Sequence, residues 1–174
     1  FSAHGIKWPK INHVRRLQMK PGSIKKDLEE ALKFFQNSIS CLSEEDSSYK
    51  PTEDALTVAE QVAHTAKTIE WFVNGATSPE GFDINFEAHW IGVKGLSSLN
   101  EAKSKLDKAV ATAVEVLTNM TEEELDSPLP PGLVMPGEPK WSVITGIVDH
   151  TAHHRGALTV YSRLLGKTPR MPYM

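Results

Sequence analysis

Residues 142–166 read SVITGIVDHTAHHRGALTVYSRLLG, and the rest of the chain is best read outward from this stretch. Ser142 is a helix-capping residue type, and Gly166 is a terminating one. Between them Ile144, Ile147, Val148, Thr151, Ala157, Leu158, Tyr161 and Leu165 recur with helical spacing, which predicts one long helix with an apolar face. His150 and His154 stand four residues apart in it. At about 100° per residue they lie roughly 40° apart on one face, one turn from each other, so both can reach a single metal ion. His64, alone in an upstream stretch of small and apolar residues, completes a three-nitrogen cluster if its helix packs opposite the last one. Three protein ligands with an open position suit a catalytic metal better than a structural one.

The upstream chain repeats the helical pattern. Ser23 is placed to cap a helix reaching about Leu42, through Ile24, Leu28, Ala31, Leu32, Phe35 and Ile39. A polar loop follows, and a second helix begins at about Glu53 or Thr57 and stops at Asn74, with Gly75 as a left-handed cap. Val58, Val62, Thr65, Ile69 and Phe72 form its apolar face, with Ala55, Ala59, Ala63 and Ala66 nearby for close approach. Residues 76–90 are irregular by composition, and loops of that length often shape a pocket. A third helix is predicted from Ser98 to Asn119, then a short turn capped by Thr121 with Glu124. Pro128, Pro130, Pro131, Pro136 and Pro139 forbid continuous helix, so that segment is a crossover or a lid. Four main helices with one or two long crossings make an all-α four-helix bundle.

Composition narrows the functional classes. The 174 residues, 40% hydrophobic and 24% charged with a formal net charge of -3, suit a globular protein with one substantial core. No basic stripe runs through the body, so nucleic acid is not an expected partner, and no apolar run approaches a membrane span. Residues 1–22 form a basic arm, with Lys7, Lys10, Arg15, Arg16 and Lys20 and no acidic residue; residues 23–174 form the single expected bundle domain. The arm reads as a solvated tail, with an acidic surface or anionic lipid as the alternative. Cys41 is the only cysteine; it forbids an internal disulfide or a cysteine-only zinc site, and it is expected on the buried side of the first helix. A cytoplasmic location is expected, with export left open because nothing before Phe1 is visible.

Other residues near the motif have two readings each. His153 lies about 100° from His154 and faces either a helix neighbour or the pocket edge. His89 and Trp90 either line a substrate cavity or belong to a solvated loop. Asp149 can cap, pair with Arg155, or orient a ligand from outside the metal shell. The Glu that follows the first histidine in H-E-x-x-H metalloproteases is Thr151 here. Gln61, Ile147 and Thr151 stand where a di-iron bundle would carry Glu three residues before a histidine. Protease and di-iron chemistry are therefore disfavoured.

The chain from Ser23 to Pro169 resembles the DinB/YfiT-like superfamily. The resemblance rests on His64 at the end of Thr57-Val58-Ala59-Glu60-Gln61-Val62-Ala63-His64, and on Asp149-His150-Thr151-Ala152-His153-His154-Arg155-Gly156, which follows a D-H-x-x-H-H-R-G pattern. Tyr161, Arg163, Gly166 and Pro169 stand in the region of the tail that follows in that family. The basic arm is a departure, because such bundles start close to their first helix. The resemblance implies an up-down-down-up bundle with long crossovers, in which His64, His150 and His154 hold a divalent metal such as zinc or nickel. It also implies thiol-transferase chemistry on a small electrophile, with a low-molecular-weight thiol such as bacillithiol or mycothiol as co-substrate, and a homodimer. Two alternatives stand beside this: a metal-dependent hydrolase with Glu60 or Glu70 as base, Glu60 being nearer the metal face, and a non-enzymatic module that binds a metal or small molecule.

Overall fold

The computed structural model describes residues 21–174; the basic arm, with His4 and His13, lies outside the described residues apart from its last two positions. The elements are α1 (Pro21–Ser38), α2 (Val58–Thr77), α3 (Phe86–His89), α4 (Leu99–Thr118), α5 (Glu122–Asp126) and α6 (Ser142–Leu164), with a 3-10 turn at Glu44–Asp46. No β-strand occurs among the described residues, only an isolated antiparallel bridge between Pro128 and Pro139 in the proline-rich segment.

Helices α1, α2, α4 and α6 form the bundle. Both α1 and α2 pack mainly against α4 and α6, so α1 and α2 lie across a diagonal. Side-chain contacts fix the directions. Gln36 on α1 donates to Asp107 on α4 at 2.7 Å, while Lys103, one turn earlier on α4, donates to the Leu42 carbonyl beyond the end of α1; these two helices are antiparallel. Gln61 meets Tyr161 and Phe72 lies on Gly146, so α2 and α6 are antiparallel. Arg155 lies over the Phe34 ring, and Lys167 beyond α6 bonds Asp46 beyond α1, so α1 and α6 run the same way. The order is up-down-down-up, and α2 and α4 are parallel. Residues 78–98 must therefore travel back along the bundle before α4 can begin.

The core is built from the predicted stripes. Ile24, Leu28, Phe35, Ile39, Val58, Val62, Ile69, Leu106, Leu117, Ile144, Ile147 and Leu158 are all buried, and full burial of such a side chain contributes about 1.5–3 kcal/mol. Thr57 and Thr121 each cap as a capping box with Glu60 and Glu124. No helix among the described residues is long and apolar enough to cross a membrane.

Several boundaries differ from the sequence expectation. Helix α1 is present from Pro21, so Ser23 lies inside its first turn, where proline is tolerated. It ends at Ser38, and Ile39 and Leu42 continue the apolar spacing through a turn closed by Leu42 N–H to the Ile39 carbonyl. Cys41 consequently sits beyond the helix, half-buried, against the core edge. Ser142 is the first residue of α6 rather than its cap, since the chain enters through tight turns and the Ser142 hydroxyl donates to the Pro139 carbonyl at 2.6 Å.

Gly75 is not a terminator: α2 continues to Thr77. A Cβ at Gly75 would lie 2.4 Å from Phe82 Cδ1 and 2.6 Å from Phe82 Cγ, so the glycine lets the returning segment lie on the helix. Gly75→Ala is expected to destabilise the fold. Displacing the ring costs about 1–3 kcal/mol, more than the ~1 kcal/mol that alanine gains in helix propensity. An unchanged or raised thermal midpoint would overturn this reading.

Candidate metal centre

Helix α2 supplies His64 and α6 supplies His150 and His154. The antiparallel packing of these two helices brings one nitrogen of each imidazole to within 4.8 Å of the others. Ring centroids lie 5.2 Å apart for His64 and His150, 4.9 Å for His64 and His154, and 4.4 Å for His150 and His154. This is a three-nitrogen donor set that could hold one ion. His64 Nδ1 and His150 Nε2 are buried with no hydrogen-bond partner among the described residues. Such orphaned atoms are costly in a folded interior unless something binds them.

Electrostatics favours the neutral, ligating form. Burial above all, with neighbouring imidazoles adding to it, lowers the pKa of His64 and of His150 to about 4 and that of His154 to about 3. All three are uncharged at neutral pH, and a neutral imidazole is what a transition metal requires.

The crossing forms the roof. Trp90 stacks on His64 with centroids 4.9 Å apart and planes 19° from parallel, and Lys94 Nζ lies 5.2 Å from the Trp90 ring centroid. His89 lies on the short helix α3, not in a solvated loop; its ring centroid is 5.3 Å from that of His64, and its Nε2 is 3.4 Å from Thr68 Oγ1. Burial first, then the charge of Lys67, lowers its pKa. A cavity of about 240 Å³ opens onto His64 and His150 between Thr68, Trp71, Phe72, Phe86, His89 and Trp90. Trp71 and His89 also wall a larger cleft of about 840 Å³, between the segment after α2 and the proline-rich segment.

Other expected residues lie elsewhere. Both Glu60 oxygens are engaged, accepting from Thr57 N–H at 2.9 Å and Gly95 N–H at 2.7 Å. Partial burial opposes its charge, but these N–H donors hold the pKa below the ordinary value. It tethers the crossing and is not placed as a base. Glu70 is exposed and pairs with Lys67 at 3.7 Å. Asp149 is exposed and touches the cluster only through its charge, which opposes the lowering of the His150 pKa. His153 is exposed at the edge, its ring 4.9 Å from that of His154. Arg155 faces the opposite groove, over Phe34.

Spacing reads Gln61 only as the place where a carboxylate ligand is missing. In the structure it is buried, with Oε1 against His154 Nδ1 and Nε2 against the Tyr161 hydroxyl. Its position one turn before His64 was the available signal, since both residues then share a face.

This helical bundle with three converging histidines defines a class of candidate metalloprotein, and comparison with known proteins gives its family. The DinB family model matches residues 23–174; the chain belongs to the DinB family. Its fold is similar to a DinB-like protein from Bacillus cereus (TM-score 0.68, 17% identity, covering 85% of this chain and 94% of that one). It is also similar to the DinB-like protein YjoA from Bacillus subtilis (TM-score 0.62, 21% identity, 85% and 95%). A third similar structure is YfiT from Bacillus subtilis (TM-score 0.67, 15% identity, 95% and 97%), described as a probable metal-dependent hydrolase with an unusual four-helix bundle topology. No curated protein matches the sequence significantly.

Proposed function

We propose that His64, His150 and His154 hold one divalent transition metal, zinc or nickel, and that the protein is a metal-dependent S-transferase joining a low-molecular-weight thiol to a small electrophile. The observation that carries this reading is the pairing of three neutral imidazoles with a largely apolar cavity onto which no carboxylate opens. A bound divalent metal supplies the Lewis acidity that lowers a thiol's pKa, so the chain needs neither its own nucleophilic cysteine nor a carboxylate base. The half-buried rings of Trp71, Phe72 and Trp90 limit the access of water to the electrophile. Sulfur forms the new bond to the electrophilic carbon, the leaving group departs with its electron pair, and the thiol proton passes to solvent at the cavity mouth.

The larger cleft suits the non-reacting body of a substrate. Its lining carries the carboxylates of Glu70, Glu80 and Asp83 against the ammonium of Lys67, which favours a body bearing a positive group. The test is metal-reconstituted protein with cysteamine or mercaptoacetate and an alkylating electrophile. Conjugate formation that is faster with cysteamine, and abolished by chelation and by His150→Ala, is the expected result. Hydrolysis of ester or amide substrates without any thiol would replace this reading with the hydrolase one. That alternative draws support from His89, a half-buried imidazole with lowered pKa beside His64 that could accept a proton from water. Metal binding without turnover of either kind would leave a binding module.

A further inference from the structure

The hydrogen bonds behind His154 form a directed chain that starts at a backbone carbonyl. The Tyr161 hydroxyl donates to the Leu56 carbonyl at 3.2 Å. Its single proton is then used, so towards Gln61 the oxygen can only accept, and Gln61 Nε2 donates to it at 3.3 Å. That orients the Gln61 amide, leaving Oε1 against His154 Nδ1. A carbonyl oxygen can only accept, so the proton of neutral His154 sits on Nδ1 and the lone pair on Nε2. Gln61 and His154 are buried, Tyr161 is 7% exposed, and water has little access to substitute for any link.

We propose that Gln61, held by Tyr161, is the positioning residue of the histidine cluster: it fixes the tautomer and ring orientation of His154 so that Nε2 is offered to an ion shared with His64 and His150. The inference rests on the metal reading for its consequence, but its first claim concerns the protein alone. The carboxamide does what carboxylates and backbone carbonyls do behind metal-binding histidines, namely hold the second ring nitrogen. Because the anchor is the Leu56 carbonyl, just before the cap of α2, the chain also ties α6 to the start of α2. The sequence carries these residues on two helices a hundred positions apart, and only the antiparallel packing reveals them as one device.

The experiment has two readouts. Long-range proton–nitrogen NMR of the metal-free wild type is expected to show His154 as the Nδ1–H tautomer, and Gln61→Met, which keeps the volume and removes the acceptor, is expected to release it into a mixture. Chelator competition with zinc is expected to show affinity reduced about 10–100-fold in Gln61→Met, with an altered visible spectrum of the cobalt-substituted protein. Gln61→Glu, which retains an acceptor at the same reach, is expected to keep the tautomer and bind within a few fold of wild type. A wild-type His154 in the Nε2–H tautomer overturns the proposal. So does Gln61→Met with unchanged tautomer and affinity, or Gln61→Glu losing as much as Gln61→Met, which would reduce Gln61 to packing. Failure of wild type to bind any metal, with the tautomer as expected, would instead overturn the metal reading.

Discussion

Protein purified without a polyhistidine tag is expected to carry close to one equivalent of a transition metal, and His64→Ala and His150→Ala are each expected to reduce it to about a tenth or less. The size of the effect follows from the donor set. No carboxylate or thiol among the described residues joins these three imidazoles in a metal-binding group, so a variant lacking one retains only two ligands and nothing nearby to replace the third. The histidines come from two helices, so equal loss in both variants would tie α2 and α6 to one ion. Elemental analysis reads the result directly. Metal retained in both variants, or absent from wild type after reconstitution with zinc and nickel, would sink the assignment. The variants are expected to fold, because removing an imidazole also removes an uncompensated buried polar atom at His64 Nδ1 or His150 Nε2.

Acid is expected to destabilise the metal-free protein steeply between about pH 6.5 and 3. The folded pKa values of His64 and His150 lie near 4 and that of His154 near 3, mainly through burial, while an unfolded chain returns each to about 6.5. In that window the unfolded state binds more protons than the folded state, so stability falls as pH falls. It is fully present above the unfolded value and lost as pH drops through the folded ones. Denaturant midpoints measured across the window would check this, and replacing the three histidines with glutamine should flatten the profile. A wild-type midpoint that is level down to pH 4 would contradict it. With metal bound, release should occur in the same range, since protons and the ion compete for the same lone pairs.

The fold was largely legible because each bundle helix carries an apolar stripe, and Thr57 and Ser98 cap α2 and α4 through their side chains. The boundaries that failed did so for local reasons. Ile39 and Leu42 keep helical spacing while the backbone has already turned, and Gly75 looks like a terminator because a sequence cannot show the Phe82 ring lying on it. The three histidines were legible from type and spacing. Gln61 was not, because its task depends on Tyr161 and His154, which meet it only after α2 and α6 pack. Glu60 shows the converse: its place near the histidine face suggested a base, but the cap of α2 and the Gly95 N–H take both oxygens. His89 and Trp90 sit in a segment whose composition announces irregularity and whose path is set by helix direction, which local sequence does not encode.

That path has a quantitative consequence. A helix the length of α2 rises about 30 Å, and an extended chain needs roughly nine residues to retrace it. The connection through residues 78–98 has more than twice that length. The surplus is where α3 forms, so the roof over the histidines uses chain that the topology does not require. Shape and chemistry above the histidine cluster can thus be rewritten by lengthening, shortening or replacing that surplus, while α2 and α6, which present the nitrogens, keep their place in the four-helix packing.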